Sequence, residues 1–210
     1  MHKQSLQIGS SSQARVYKIF RSSNFLYGSK QYFYKPNFSL DPQMPCTSFI
    51  SLGSNTGKSC QLIISALREI ASFKSLDILA CSPLFYTEPQ EKGDQPWFYN
   101  MAAMLRTGPE WRPEELLQKL HDLEKSLGRE RDGASRFGPR PIDLDLIIFG
   151  NETSLNPACL LPHPRAHRRA FVLVPLLCLA PGLTINSQSL ADCLAALNWR
   201  MHGWQIWQCD

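Results

Sequence analysis

Two acidic residues at alternate positions of a short apolar segment could carry chemistry. Asp143 and Asp145 lie within 142–149, whose other residues are all apolar. If this segment is a strand, the two carboxylates share one face, with Cα atoms roughly 7 Å apart, while Leu144 and Ile148 face the core. Paired carboxylates suit Mg²⁺, so the pair could hold two metal ions along a phosphate chain. A solvated strand face is the alternative.

Cationic residues flank the acidic pair on both sides. The upstream residues are Arg129, Arg131, Arg136 and Arg140. The downstream residues are His163, Arg165, His167, Arg168 and Arg169. Because Mg²⁺ neutralises part of a phosphate charge and guanidinium groups bind the rest bidentately, this pattern favours a metal–polyphosphate site. A role in surface solubility is the alternative.

A second group of polar and aromatic residues precedes the acidic pair in the chain. Phe98 and Asn100 are two residues apart and share a face if they lie in a strand. Thr87 and the pair Gln95-Pro96 come shortly before them. An aromatic ring beside an amide can stack on a flat heterocycle and hydrogen-bond to its edge. The alternative places Phe98 in the core, with Asn100 as a solvated neighbour.

The segment 53–59 looks like a phosphate-binding P-loop but has the wrong spacing. Three residues separate Gly53 from the Gly-Lys-Ser triplet at 57–59, where a P-loop has four. We therefore exclude a P-loop. We predict instead that Gly53 and Asn55 form a tight turn that lets a substrate approach the backbone.

Apolar periodicity predicts the elements that must position these residues. The predicted strands are Ser48–Leu52, Asp77–Phe85, Phe98–Leu105 and Ile142–Phe149. The predicted helices are Ser59–Phe73 and Pro113–Leu127, the second of them capped by Gly128. The order β-α-β-β-α-β is that of a ferredoxin-like α+β fold, an antiparallel sheet with helices packed on one face. A C-terminal extension follows, with an apolar segment and a helical pattern over 190–199.

Charge divides the 210-residue chain into an arm, residues 1–45, and a body, residues 46–210. The arm carries a net charge of +5 and the body −1. We predict a disordered arm; a targeting segment and a true start at Met44 are the alternatives. The near-neutral body gives no support for nucleic-acid binding. The longest apolar run, Ala170–Ala180, has 11 residues, too few for a membrane span.

Seven cysteines are spread along the chain, with at least 14 residues between any two in sequence number. This spacing excludes a CxxC zinc or redox pair and is typical of reduced thiols. We therefore expect a cytoplasmic location. Import into an organelle through residues 1–45 is the alternative.

Taken together, these residues resemble the 6-hydroxymethyl-7,8-dihydropterin pyrophosphokinases of folate biosynthesis, from about Phe49 to about Trp199. The most specific part is 136–147, with an Arg, a Gly-Pro-Arg and the paired Asp. The supporting segments are 52–55, 87–89, 94–100, Glu124 before 128–129, 162–164, and Arg169 with Phe171. The resemblance implies an ATP-dependent diphosphokinase that transfers diphosphate from ATP to the hydroxymethyl group of the pterin and releases AMP. It also implies a monomer whose partners are small-molecule substrates, not nucleic acid or membrane.

The resemblance assigns each site residue a role. Asp143 and Asp145 would hold two Mg²⁺ ions and act in catalysis together with Arg131 and Arg140. The pterin contacts would be Asn55, Thr87, Phe98, Asn100 and Phe171. The ATP contacts would be Glu124, Arg129, Arg136, Gly138, Ile142, His163 and Arg169. Arg131 and Arg136 would belong to a loop that closes over the substrates.

The chain departs from the family pattern near the pterin contacts. Gln90 and Glu91 stand where the family often has a small apolar residue and Gly. Two rival functions use the same residues: a non-catalytic ferredoxin-like module that binds nucleotide or RNA, and a different Mg²⁺-dependent nucleotidyl transferase. The two Asp on the ligand face argue against the module, and the Phe98–Asn100 pair argues against the transferase.

Overall fold

The structure, a computed structural model, describes residues 46–90, 94–129 and 138–209. Residues 1–45, the predicted arm, lie outside this range. The described strands are β1 (Cys46–Ser54), β2 (Leu76–Cys81), β3 (Phe85–Thr87), β4 (Phe98–Thr107), β5 (Asp143–Phe149), β6 (Thr184–Ile185), β7 (Gln188–Ser189), β8 (Asn198–His202) and β9 (Gln205–Cys209). The described helices are α1 (Ser59–Ile70), α2 (Pro113–Ser126), α3 (Ala170–Leu179) and α4 (Leu190–Ala195), with a 3-10 turn at Ala166–Arg168.

One seven-stranded sheet organises the molecule. Its strand order is β5-β1-β4-β3-β9-β8, and β2 pairs with the C-terminal half of β4. Neighbouring strands are antiparallel except β3 and β9, which run parallel. The mostly antiparallel sheet with its helices confirms the predicted α+β class, and β8 and β9 are part of the C-terminal extension.

Helices α1 and α2 cover one face of the sheet. Ile63 and Ile70 of α1 and Leu116 of α2 pack against Leu52 of β1 and Leu144 of β5. The apolar side chains of α1 recur at helical spacing, which gives it a single buried stripe. Helix α2 begins with proline and two glutamates, which suit the positive end of a helix, and Gly128 follows it at φ +92°.

Helix α3 covers the opposite face. Its Leu173 belongs to a core with Phe49, Ala102 and Ile147 of the sheet, and α4 packs beside it. The sequence pattern did not predict α3. Because this helix is buried on nearly all sides, apolar residues occupy all of its faces and no helical period is visible in the sequence. Within the described residues, no helix has the combined length and apolar character that a membrane span needs.

A β-bulge in β5 changes the predicted side-chain alternation. Phe49 pairs with Ile148 while Ile50 pairs with Leu146, so Ile147 is an extra residue. Ile148 is buried in the core, as predicted, but on the α3 face of the sheet and not on the face of Leu144. The bulge lies beyond the acidic pair and leaves the alternation at Asp143 and Asp145 intact.

Two predicted elements have different limits in the structure. The predicted strand Asp77–Phe85 was wrong as one element, because it divides into β2 and β3 around Pro83, which has no N–H for a ladder hydrogen bond. The predicted helical segment 190–199 ends at Ala195. Trp199 lies in β8, where its side chain packs against the α3-side core.

The hairpin β8–β9 fastens two segments that lead into the site. Backbone N–H groups of Tyr86 and Glu88 donate to Trp204 O and Ile206 O at 2.8 and 3.0 Å. Gln208 Oε1 accepts from Ala170 N at 2.7 Å, and its Nε2 donates to Arg168 O at 2.8 Å. The hairpin therefore holds both the end of β3 and the start of α3.

Candidate active site

A pocket lies on the α3 face of the sheet, beside the N-terminal end of α3. Its floor comes from β1, β4 and β5, and its walls come from the β3–β4 connection, the segment before β5 and the start of α3. The lining residues are Ser51, Gly53, Thr87, Glu88, Pro89, Gln90, Gln95, Phe98, Asn100, Arg140, Asp143, Asp145, Arg169 and Phe171.

The floor follows from strand register. Asp145 pairs with Ser51, and Asp143 pairs with Gly53. Gly53 in turn pairs with Asn100 of β4. Because directly paired residues project to the same face, the acidic pair and Asn100 lie side by side. The structure therefore unites the two groups that the sequence placed more than forty residues apart.

Asp143 is held by two guanidinium groups. Its Oδ1 accepts from Arg129 Nη1, and its Oδ2 accepts from Arg140 Nη1 at 2.6 Å. Burial raises the pKa of this carboxyl, but the charges of Arg129 and Arg140 outweigh burial and lower it below its usual range. Asp143 is therefore ionised and fully paired.

Within the described residues, the ion pair of Asp145 is longer. Arg169 Nη1 lies 3.9 Å from its Oδ2, too long for a hydrogen bond. Burial, together with the negative charge of Asp143, raises the pKa of Asp145 to about 7. The pocket thus concentrates negative charge at one carboxylate, which favours a cation beside it.

Arg169 and Phe171 enter the pocket from the start of α3. The Arg169 guanidinium lies 5.4 Å from the centre of the Phe171 ring, a cation–π contact. His163 lies in the segment before them, where its backbone N–H donates to Ile147 O at 2.9 Å. Burial and the charges of Arg169 and Arg165 lower the pKa of His163 to about 4. A neutral imidazole therefore stands beside the arginines at neutral pH.

Glu124, for which we predict a nucleotide contact, has a buried side chain that bonds to the protein. Its side chain lies between α2 and β5 and is only 1% exposed. Its Oε1 accepts from Leu144 N at 2.7 Å and from Arg129 Nη1. Since the carboxylate is sealed in the protein, we assign to it the role of holding Arg129 and the start of β5 in position.

Asn55 also serves the protein rather than the open pocket. Its Nδ2 donates to Gln95 Oε1 at 3.1 Å and to Pro96 O at 3.0 Å. Its Oδ1 accepts from Arg140 N at 2.6 Å. Both donors of the amide are therefore used, and Asn55 joins the β3–β4 wall to the wall that carries Arg140. Its pterin contact stays a prediction.

Gly53 lies in β1, not in the predicted turn. A Cβ atom built on it would meet Asn100 Oδ1 at 2.5 Å, so the Asn100 side chain packs directly over this glycine. Asn100 Nδ2 donates to Thr87 Oγ1 at 2.6 Å, which fixes the amide plane. The predicted approach of a substrate to Gly53 stays a prediction, and the close approach that the structure shows is that of the Asn100 side chain.

The remaining predicted residues differ in position. Arg131 and Arg136 lie outside the described residues, as does the closing loop predicted for them. Ile142 is fully buried in the core on the α1–α2 face, which leaves only its backbone for a ligand. Gly138 is buried at the start of the described segment before β5.

Several lining residues were missed as site residues by the sequence analysis. Ser51, Glu88, Pro89, Gln90 and Gln95 line the pocket. Ser51 could have been found from its strand register opposite Asp145 had the pairing been known. The others follow Thr87 or precede Phe98, so their closeness in sequence to two predicted residues was the available signal.

Comparisons with known proteins agree with this geometry. The sequence profile of the family described as 7,8-dihydro-6-hydroxymethylpterin-pyrophosphokinase (HPPK) matches residues 49–181. The chain belongs to this family. The predicted family and the enzyme class, an ATP-dependent diphosphotransferase, are thereby confirmed.

Curated HPPK relatives extend over most of the chain. The 2-amino-4-hydroxy-6-hydroxymethyldihydropteridine pyrophosphokinase of Methylorubrum extorquens is 34% identical over 151 residues, which cover 72% of this chain and 93% of that protein. The enzyme of the same name from Pseudomonas aeruginosa is 38% identical over 149 residues, which cover 70% of this chain and 90% of that protein. The folate synthesis bifunctional protein of Arabidopsis thaliana is 35% identical over 160 residues, covering 76% of this chain and 32% of that protein.

Solved HPPK structures share the fold. A Plasmodium falciparum HPPK-DHPS crystal structure superimposes with a TM-score of 0.51 at 14% sequence identity, covering 73% of this chain and 44% of that chain. At this identity the likeness concerns the fold alone. It matches the α+β architecture described above.

Proposed function

We propose that this HPPK transfers diphosphate from ATP to the hydroxymethyl group of 6-hydroxymethyl-7,8-dihydropterin, giving AMP and the pterin diphosphate, in the pocket described above. The observation that carries the site assignment is the register that places Asp143, Asp145 and Asn100 on one floor beneath Arg140 and Arg169. Carboxylates for metal, arginines for phosphate and an amide with aromatic rings for a heterocycle thus meet in one cavity.

The acidic pair fits the two Mg²⁺ ions expected for this reaction. Both carboxylates line the pocket, and the raised pKa of Asp145 reports negative charge that a cation would relieve. When bound, Mg²⁺ would neutralise phosphate charge and bring the phosphate chain into line with the attacking hydroxyl. Asp143 and Asp145 are the residues that would hold it.

The arginines are placed to bind the phosphates. Arg140 and Arg169 both line the pocket on opposite sides of the acidic pair. Their guanidinium groups present forked donors that match phosphate oxygens. Arg129, anchored by Glu124, keeps a third positive charge at Asp143. The neutral His163 accepts a hydrogen bond from Arg165 N at its Nδ1 atom, so its Nε2–H remains as a donor that adds no charge.

The pterin would lie where Phe98 and Phe171 meet the Thr87–Asn100 pair. Two aromatic rings offer stacking surfaces, and the amide of Asn100 offers hydrogen bonds to the ring edge. The chemical step needs alignment of the hydroxyl with the β-phosphorus and neutralisation of charge more than covalent help. In this scheme the side chains bind, orient and exclude water, which would otherwise compete as acceptor.

An assay of AMP release tests the reaction. With ATP, Mg²⁺ and 6-hydroxymethyl-7,8-dihydropterin, we expect AMP and pterin diphosphate in equal amounts. The 6-methyl pterin, which lacks the hydroxyl, is the matched control and should give neither product. Release of pyrophosphate instead of AMP would indicate a nucleotidyl transferase and would overturn the proposal.

Gly53→Ala should impair pterin binding selectively. The new methyl group must displace the Asn100 amide, breaking its hydrogen bond to Thr87, which is worth about 1 kcal/mol. We expect KM for the pterin to rise about fivefold, with KM for ATP changed less than twofold. Gly57→Ala is the control, because a Cβ at Gly57 meets nothing within 4 Å. Equal effects of the two substitutions would contradict the placement of Asn100.

We further propose a monomer in a cytoplasmic compartment. All seven cysteines are free thiols, and burial raises the pKa of Cys81 and Cys178 to about 11 and about 12. Protonated, buried thiols are typical of proteins from reducing compartments. Size-exclusion chromatography with light scattering tests the oligomeric state, and localisation of the tagged full chain tests the compartment.

A further inference from the structure

Gln90 is the pocket residue whose hydrogen bonding is incomplete. It lies directly after Pro89 in the β3–β4 wall and lines the pocket. Its Nε2 is buried, yet within the described part of the chain it has no hydrogen-bond partner. A buried donor without an acceptor costs free energy, since the hydrogen bonds it would make to water are lost.

The amide of Asn100 in the pocket, and that of Asn55 behind the pocket wall, do not share this property. The Nδ2 atom of Asn100 donates to Thr87 Oγ1, and the Nδ2 atom of Asn55 donates to two acceptors. These amides are therefore fixed by the protein itself. Gln90 is different because its Nε2 donor is buried and has no acceptor among the described residues.

We infer that Gln90 is a specificity residue whose Nε2 donates a hydrogen bond to an acceptor on the edge of the bound heterocycle, a ring carbonyl oxygen or a ring nitrogen. This inference rests on the proposed function, because it assigns the pterin to this pocket. A substrate acceptor would satisfy the donor that the protein leaves unpaired. A heterocycle without that acceptor would leave it unpaired and would bind more weakly.

Two donor-free variants test the inference on the full chain. Gln90→Met keeps the length of the side chain, and Gln90→Leu keeps most of its volume. We expect each to weaken pterin binding about tenfold, measured by titration in the presence of Mg²⁺ and a non-hydrolysable ATP analogue. Nucleotide affinity should stay within twofold. Thermal stability of the ligand-free protein should be unchanged or higher, because the unpaired donor is gone.

The stability measurement separates binding from a structural role. If Gln90 merely supported the loop, both variants would lower the melting temperature, and the inference would be overturned. Gln90→Glu tests the direction of the hydrogen bond, because a carboxylate can accept a hydrogen bond but cannot donate one. If this variant retained its affinity for the pterin, the inference would also be overturned. Gln205→Leu, at an exposed position of β9, controls for the substitution itself.

Pterin analogues identify the acceptor and separate this inference from the proposed function. An analogue that lacks the relevant carbonyl oxygen or ring nitrogen should bind to the wild type about tenfold more weakly than the parent pterin does. The same analogue and the parent pterin should bind to Gln90→Met with equal affinity. If no analogue shows this difference while the parent pterin is a substrate, the inference fails and the function stands. If the wild type neither binds nor converts the parent pterin, both fail.

Discussion

Asp145→Asn is expected to reduce kcat at least a thousandfold. The substitution removes one of the two carboxylates that would hold Mg²⁺, while the amide keeps nearly the same shape. Metal stabilisation of developing phosphate charge is worth several kcal/mol, and about 4 kcal/mol corresponds to a thousandfold in rate. AMP release at saturating ATP and pterin measures the effect. Turnover within tenfold of the wild type would remove Asp145 from the proposed metal site.

The same substitution is expected to stabilise the metal-free protein above pH 7. The folded-state pKa of Asp145, about 7, exceeds its ordinary value of 3.8, so the folded protein binds more protons than the unfolded chain between these values. Wild-type stability is therefore lost as pH rises from about 4 to about 7. Asn carries no charge, so the melting temperature of Asp145→Asn should exceed that of the wild type most clearly at pH 8, and least near pH 4.

Asp143→Asn is the matched comparison and should shift stability the other way. The lowered pKa of Asp143 reflects pairing with Arg129 and Arg140, so its charge contributes stability at neutral pH that is lost in acid. Neutralising it leaves two guanidinium groups without that partner. We expect a lower melting temperature at pH 8. Identical shifts in the two variants would show that the two carboxylates do not have the distinct surroundings described here.

Glu124→Ala is expected to lower the free energy of unfolding by about 3 kcal/mol. The change leaves the Leu144 N–H without its acceptor and removes a sealed anion beside Arg129. Breaking a buried pair from one side costs about 3 to 5 kcal/mol, and Arg129 keeps Asp143 as a second partner, which favours the low end. Urea unfolding followed by tryptophan fluorescence measures the difference.

Two further substitutions sharpen this measurement. Glu124→Gln keeps an acceptor for Leu144 while removing the charge, so its loss should be smaller than that of Glu124→Ala. Glu114→Ala, at an exposed position of the same helix, should change stability by no more than about 0.5 kcal/mol. An equal loss in Glu114→Ala and Glu124→Ala would mean that the effect does not come from the buried contacts of Glu124.

The acidic strand could be predicted from sequence because its chemistry is local. Alternation over a few residues fixes which side chains share a face, and this held for Asp143 and Asp145 up to the bulge at Ile147. The β-α-β-β-α-β order could be predicted for a similar reason, since α1 and α2 each have an exposed side and therefore a visible period.

Other features depend on contacts between distant segments and left no local pattern. Helix α3 is buried on nearly all sides, so its apolar run carries no period. Glu124 lies on a helix with many acidic and basic residues, and only the fold distinguishes a sealed carboxylate from an exposed one. The occupied donors of Asn55 depend on Gln95 and Pro96, forty residues away, and no spacing rule predicts such a contact.

Gln208 has a consequence for the order in which the enzyme is assembled during synthesis. Its amide holds the backbone on both sides of Arg169, and the strand that carries it also fastens the wall that bears Thr87. A nascent chain on the ribosome contains Arg140, Asp143, Asp145 and Arg169 before it contains Gln208. The two hydrogen bonds that hold the backbone beside Arg169 therefore form only after these pocket residues have been synthesised.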